Sequence, residues 1–560
     1  MRVLGINAIF HDPAAALVVD GQTIAAAEEE RFSRRKHGKR PVPFSAWELP
    51  EAAAASCLEA GGLSAADLDA VAYSYDPNLA PPIPGDLTDD AWEGLRTLYA
   101  QRAPRFLATA LAGLDPERVR FVAHHVAHAA SACIAAPHAS SAVLVVDGRG
   151  ERASHLAGHW TGEELLPLAS QRLPHSLGLL YEELTVHLGF HRSSDEYKVM
   201  AMASYGRPRF LEELREEIHA DGHGGFRAPC PDFSRWAPSL RPGEQFTEAH
   251  ADLASSVQAC LEEVLLDLAS WLHAETGERA LTLAGGVALN CVANSRLFRE
   301  SPFEHVWVQP ASGDAGTALG AAMHVAHLLG DRVAPMPTAA LGRAFSEAEL
   351  RRALEVAAIP FEEPADLPSA VADVLASDGV VAWFQGRSEF GPRALGHRSL
   401  MADPRRRENL ERLNDVKGRE QFRPVAPMVL AERAADIFEG GPLPSPHMLF
   451  VHQVKDEWRE RIATVVHVDG TARVQTVDRD EEPLVHATIA AFERRTGVPV
   501  VVNTSLNTAG RPMVDAPRDA LECFGSAPVD LLVLGPFLVR RPAARDASRR
   551  FSRALDEVAA

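Results

Sequence analysis

At 560 residues the chain exceeds what one hydrophobic core organises, so two or more domains with clefts between them are expected. Its 46% hydrophobic and 24% charged residues exclude a disordered or fibrous protein. A formal net charge of −20 speaks against a general nucleic-acid or bilayer-surface binder and leaves local basic clusters to meet any phosphate.

In chain order, MRVLGINAIFHDPAAALVVDGQTIAAAEEE reads as strand, polar turn, strand, DG turn, strand, the punctuation of an antiparallel meander. It places His11, Asp12 and Pro13 where a signal peptide would need an apolar core, and no apolar run reaches membrane-span length, so a cytoplasmic protein is expected. SAVLVVDGRGERASHLAG at 141–158 repeats the pattern. The shared LVVDG, at 17–21 and 144–148, fits either an internal duplication or two unrelated hairpins. Residues 253–330 alternate helix, strand, glycine-rich loop and helix in α/β fashion. The proline-bearing stretch 331–343 reads as a linker, after which helix and strand restart with VVAWFQG at 380–386. The boundary falls there, giving domains 1–340 and 341–560. Cys57, Cys133, Cys230, Cys260, Cys291 and Cys523 are scattered without a CxxC pair, so buried thiols are expected rather than disulfides or a cysteine zinc site.

The residues with chemical potential follow the same order. His11 in His-Asp-Pro is either a turn residue or, with a reference pKa of about 6.5, a candidate general base. The basic run ERFSRRKHGKR at 30–40 is either a solvated face or a phosphate grip through Lys36. His124 and His128, four apart in an alanine-rich helical stretch, project from one face; they suit a shared metal or are core and capping histidines. Asp147 closes an apolar strand and Asp314 precedes a helix, as metal ligands or as turn and cap residues. Two His and two carboxylates would suit iron, manganese or zinc. AGGVALN and SGDAGTALG put small residues where backbone approaches a ligand, which makes Gly285 and Gly286 nucleotide-contact candidates. Neither loop has the P-loop or dinucleotide pattern. Arg387, Arg393 and Arg398 among glycines, with Lys417 and Arg423 beyond, suit bidentate phosphate or carboxylate recognition. VPVVVNTSLNTAGRPMV presents Asn503, Thr504, Ser505 and Asn507 at a strand end, where open α/β sheets bind ligands.

FHDPAAALVVDG, EERFSRRKHG, HHVAHAASA, AGGVALN, GPRALGHRSL, FRPVAP and VNTSLN, in this order along almost the whole chain, resemble the O-carbamoyltransferase family of antibiotic and nodulation-factor biosynthesis. The resemblance implies an N-terminal domain like the tRNA threonylcarbamoyl-transferring proteins, on the duplicated actin and sugar-kinase type α/β fold. It implies a C-terminal YrdC-like α/β domain that makes carbamoyl-adenylate from carbamoyl phosphate and ATP. The carbamoyl group then passes to a hydroxyl of a small natural product. On matching positions, the metal ligands are His124, His128, Asp147 and Asp314, with Fe²⁺ foremost, Mn²⁺ or Zn²⁺ as alternatives, and Mg²⁺ admitted beside ATP. Carbamoyl phosphate falls to Lys36, Arg423, Arg473 and Ser505, nucleotide to Arg393 and Asn503, and catalysis to His11. No nucleic acid or membrane partner is expected, and a homodimer is admitted. Residues 76–120 and 205–250 carry no matching motif and are expected to hold acceptor specificity. A tRNA threonylcarbamoyl transferase and a non-catalytic nucleotide-binding regulator are the rival readings.

Overall fold

The computed structural model describes residues 1–38, 49–81, 91–508 and 510–541. The N-terminal meander forms as expected: β1 (Arg2–Asn7), β2 (Ala14–Val19) and β3 (Gln22–Glu28) pair antiparallel. β4 (Ala70–Tyr73) and β5 (Val119–Phe121) extend the sheet in parallel, giving the order β3-β2-β1-β4-β5. A second sheet repeats this arrangement. β6 (Ser141–Val146), β7 (Ala153–Trp160) and β8 (Leu165–Arg172) pair antiparallel, and the strands Ala280–Ala284 and His305–Val308 add in parallel beside β6. Equal order and equal senses make the duplication a fact of topology.

The pentapeptide that suggested it is out of register with it. The first LVVDG ends β2 and turns into β3, whereas the second ends β6, the counterpart of β1. The true partner of the loop at Asp147 is therefore the loop after Asn7, which carries His11.

Two helices lie between the sheets. Ala315–Leu328 packs on β1, β2 and β4; His124–Cys133 packs on β6, β7 and Ala280–Ala284; and the two pack on each other. That sandwich explains their alanine and glycine: a Cβ at Gly320 would stand 1.8 Å from the Ala127 carbonyl oxygen. The helices thereby start near the ends of β1 and β6, bringing His124 and Asp314 to Asp147.

The seven-stranded sheet of the C-terminal half takes every strand from beyond residue 380. Its order runs Gln475–Val477, Ala426–Leu430, Val500–Ser505, Arg398–Ala402, Val381–Phe384, Leu531–Leu534, Phe537–Arg540. Trp383, Met401, Phe492 and Phe537 fill its core. Two arginines expected to recognise phosphate are structural instead. Arg398 is fully buried, donates to Gln385 O at 2.7 Å and lies 3.7 Å above the Phe384 ring; Arg387 donates to Gly342 O at 2.9 Å. The stretch expected to be a linker is likewise tied down, with Ala334 N–H on Gly21 O and Met336 N–H on Ala135 O.

The basic run also holds the halves together. Arg31 is buried, pairs with Glu28 and donates to Gly391 O at 2.8 Å, while Gly391 N–H returns to Glu28 Oε1 at 2.8 Å. Arg34 donates to Met513 O at 2.7 Å and Pro512 O at 2.9 Å. Neither is a solvated face; Lys39 and Arg40 lie outside the described residues. Cys230 departs from the expectation of buried thiols by being exposed; the other five cysteines are buried. Among the described residues no helix is long and apolar enough to cross a membrane.

Candidate metal and anion sites

His124, His128, Asp147 and Asp314 converge as one buried cluster, each offering one ligand atom within 4.8 Å of the others. His124 Nε2 is 3.5 Å from Asp147 Oδ2 and 3.6 Å from Asp314 Oδ1, and His128 Nε2 is 3.9 and 3.6 Å from the same oxygens. A metal roughly 2.1 Å from each donor would separate them by about 3 to 3.5 Å, so a slight contraction completes the shell. The fit is chemical as well as metric. His124 Nε2, both His128 nitrogens and both Asp314 oxygens are buried without a hydrogen-bond partner.

The surroundings orient these ligands. His124 Nδ1 lies 3.2 Å from Ser74 O, which fixes the proton there and leaves Nε2 with its lone pair. Asp147 Oδ1 accepts Gly286 N–H at 2.9 Å. Glu151, which carried no sequence motif, accepts the N–H groups of His124 at 2.9 Å and Asp76 at 2.8 Å, holding the helix start. The Asp314 side chain makes no cap hydrogen bond, so the helix-cap reading of that residue is set aside.

Without a metal the imidazoles and carboxylates answer one another. Burial alone would lower His124, but Asp147 and Asp314 hold it well above the usual imidazole value. Burial would raise Asp314, yet His11, His124 and His128 bring it down to about 2. Burial opposes the shift of Asp147 too, and the facing histidines place it well below the usual carboxylate range.

His11 stands at the rim. Its Nδ1 lies 2.9 Å from Asp12 Oδ2 and its Nε2 3.6 Å from Asp314 Oδ2. Asn7 Nδ2 donates to the carbonyls of His11 and Asp12, both at 2.9 Å, and His37 Nδ1 lies 2.7 Å from the other Asp12 oxygen. Burial would raise Asp12, but His37 and His11 keep it well below its ordinary value. An ionised Asp12 that accepts a hydrogen bond from Nδ1–H leaves the Nε2 lone pair facing the cluster.

The second site is a crowd of cations. Arg393, half-buried, is lowered to about 9 by burial and then by Arg473 and Arg423. Arg419 is lowered to about 9 by burial, then by Arg423, with Arg473 contributing. Lys417, buried, falls well below its usual value through burial, then Arg419, Arg423 and Lys36. Among the described residues Arg393, Arg473 and Lys417 have no carboxylate within ion-pair distance. Lys417 instead donates to Ser505 O, to Ser505 Oγ at 3.0 Å and to Asn507 Oδ1 at 2.5 Å, which brings Ser505 into the same pocket. Like charges without counterions persist where an anion neutralises them. Arg419 and Lys417, as members of this crowd, go beyond the phosphate residues expected from the resemblance.

The nucleotide candidates divide. Asn503 is buried, donates to Ala394 O at 2.9 Å and Gln475 Oε1 at 2.7 Å, and keeps Oδ1 without a partner. Gly285 has φ +91°, and a Cβ there would stand 2.2 Å from Val146 O, so packing alone requires glycine. Its N–H goes to Ser312 O, and that of Gly286 to Asp147, so these two amides serve the protein's own groups.

These features define a two-part α/β protein with a pocket of metal-ligand character in one half and a pocket of anion-binding character in the other. Residues 2–79 and 95–323 match the model of the carbamoyltransferase N-terminus, and residues 372–541 that of the carbamoyltransferase C-terminus. The chain belongs to the carbamoyltransferase family. It is 39% identical to nodulation protein NolNO of Sinorhizobium fredii, over 96% of this chain and 80% of that protein. It is 36% identical to the Synechocystis protein sll1178, over 97% of both. A crystal structure of T. kodakarensis HypF aligns over 59% of this chain and 48% of that one, with 16% identity and a TM-score of 0.33.

Proposed function

We propose that this carbamoyltransferase is an ATP-dependent O-carbamoyltransferase that uses carbamoyl phosphate and passes the carbamoyl group to a hydroxyl of a small natural product. The observation that carries the reading is the cation crowd of Arg393, Arg419, Arg473 and Lys417 beside Ser505 and Arg423, suited to two anionic substrates at once. In this reading residues 341–560 are the YrdC-type half that makes the carbamoyl-adenylate. Balance requires that one water cleave carbamoyl phosphate to carbamate and phosphate, and that a carbamate oxygen then displace pyrophosphate from the α-phosphorus of ATP. Lys36, Arg423, Arg473 and Ser505 hold the first substrate, Arg393 and Asn503 the nucleotide.

Residues 1–340 are the transfer half. His124, His128, Asp147 and Asp314 would hold a divalent ion, with Fe²⁺ the first candidate; when bound it would polarise the carbamoyl carbonyl or orient the acceptor hydroxyl. His11 Nε2 takes the hydroxyl proton, Asp12 fixes the ring, and the acceptor oxygen joins the carbamoyl carbon as AMP leaves. Burial of the cluster keeps water from the adenylate.

The test is direct. The metal-loaded protein with carbamoyl phosphate and ATP should release pyrophosphate and form carbamoyl-adenylate, and a panel of hydroxylated natural products should yield one that gains a single carbamoyl unit by mass. Nucleotide turnover that ignores carbamoyl phosphate would overturn the reading.

A further inference from the structure

The turn Arg419–Arg423 belongs by sequence to the C-terminal half, yet the N-terminal half grips it. Phe422 sits among aromatic rings from the other half, with centroids 5.4 Å from Phe246, 6.4 Å from Tyr205 and 6.5 Å from Phe190. The Tyr205 hydroxyl donates to Phe422 O at 3.3 Å. Lys198 Nζ pairs with Glu420 Oε1 at 2.8 Å and with Asp195 Oδ2 at 3.2 Å. The Arg423 guanidinium carbon lies 4.6 Å over the Tyr197 ring. Tyr197 and Lys198 are neighbours on one N-terminal-half helix, Glu196–Ala203.

Arg423 needs such restraint, because it shares its pocket with the cations Arg393, Arg419 and Lys417, all of which repel it. The negative face of the Tyr197 ring attracts the guanidinium without competing for its N–H groups. Glu420 Oε2 takes Nη1 at 3.3 Å, and because Lys198 draws on the other oxygen, Glu420 restrains Arg423 without cancelling its charge. The remaining donors of the fork are left for an anion.

We propose that Tyr197 and Lys198 are positioning residues for Arg423, so that the N-terminal half completes the anion site of the C-terminal half. The inference rests on the reading of that site as the seat of carbamoyl phosphate. It gives the helix Glu196–Ala203, and Tyr205 and Phe246 behind it, a part in substrate binding that no motif announced.

Carbamoyl phosphate-dependent pyrophosphate release by the full-length, metal-loaded enzyme tests it. Tyr197→Leu should raise the KM for carbamoyl phosphate about fivefold with little change in kcat, as expected when a guanidinium loses a ring worth roughly 1 kcal/mol. Tyr197→Phe, which keeps the ring, should restore the KM. Lys198→Met should also raise the KM, because Glu420 is then free to pair fully with Arg423; it decides the matter if melting curves show Tyr197→Leu unfolded. A wild-type KM in both Tyr197→Leu and Lys198→Met, or a Tyr197→Phe as impaired as Tyr197→Leu, overturns the proposal. Arg423→Lys separates the two levels. If it raises the KM and the positioning variants do not, only this inference falls; if it too leaves the KM unchanged, the reading of the anion site falls first.

Discussion

The two pockets are opposite in their electrostatics, and the contrast tells what each can hold. In the N-terminal half two histidines face two carboxylates, groups that neutralise one another by sharing protons until a divalent cation replaces them. In the C-terminal half arginines and a lysine face one another, with Glu420 in ion-pair contact with Arg423. The first pocket balances its own charge, whereas the second carries an excess of positive charge. Buried unpartnered atoms mark both: Asp314 Oδ1 and Oδ2 in one, Arg393 Nε and Arg473 Nε in the other. The kind of buried group left unpartnered distinguishes the two pockets, which composition and net charge could not do.

Variants should separate the pockets, starting with the largest effect. His128→Ala deletes a ligand, so metal content should drop from about one ion per chain to near zero, with affinity weakened by more than about 100-fold and transfer lost with it. Metal analysis checks this, and full occupancy in the variant would break the contrast at its first term. His11→Asn should slow transfer by roughly 10²- to 10⁴-fold while carbamoyl-adenylate still forms, because only transfer needs a base. Equal losses in both half-reactions, read by pyrophosphate release and product mass, would move His11 out of that role. Arg423→Lys should keep metal and fold but raise the KM for carbamoyl phosphate about tenfold, since an ammonium cannot reproduce the planar fork. Preformed carbamoyl-adenylate should bypass this defect; failure to transfer it would dissolve the division of labour between the halves.

The smallest effect is on stability against pH. In metal-free protein the raised His124 contributes stability in full below its unfolded value of about 6.5 and loses it as pH rises through the raised folded value. Asp314, lowered to about 2, contributes above the unfolded carboxylate value and loses it as pH falls through its folded one. Melting curves of chelator-stripped protein should therefore decline more steeply toward alkaline pH than those of loaded protein. Parallel curves would mean that the four side chains do not interact as their distances require.

Much of this was legible in the chain itself. Alternation and turn residues gave the meander β1–β3, the His124–His128 spacing gave one helix face, and the glycine and arginine blocks gave the family resemblance. These signals are local, set by the period of a helix or strand and by the backbone demands of a turn. Tertiary structure decided which local signals meet. It brought Asp147 and Asp314, 167 positions apart in the chain (147 to 314), to one imidazole, that of His124, replaced the LVVDG repeat by a duplication in a different register, turned Arg387 and Arg398 from phosphate candidates into ties that hold backbone carbonyls, and did the same with Arg31 and Arg34 of the basic run. An arginine in sequence carries the same charge in either role. Whether it faces a ligand or a carbonyl depends on burial and on the partners that folding brings within reach, and for Tyr197 and Lys198 those partners come from the other half of the molecule.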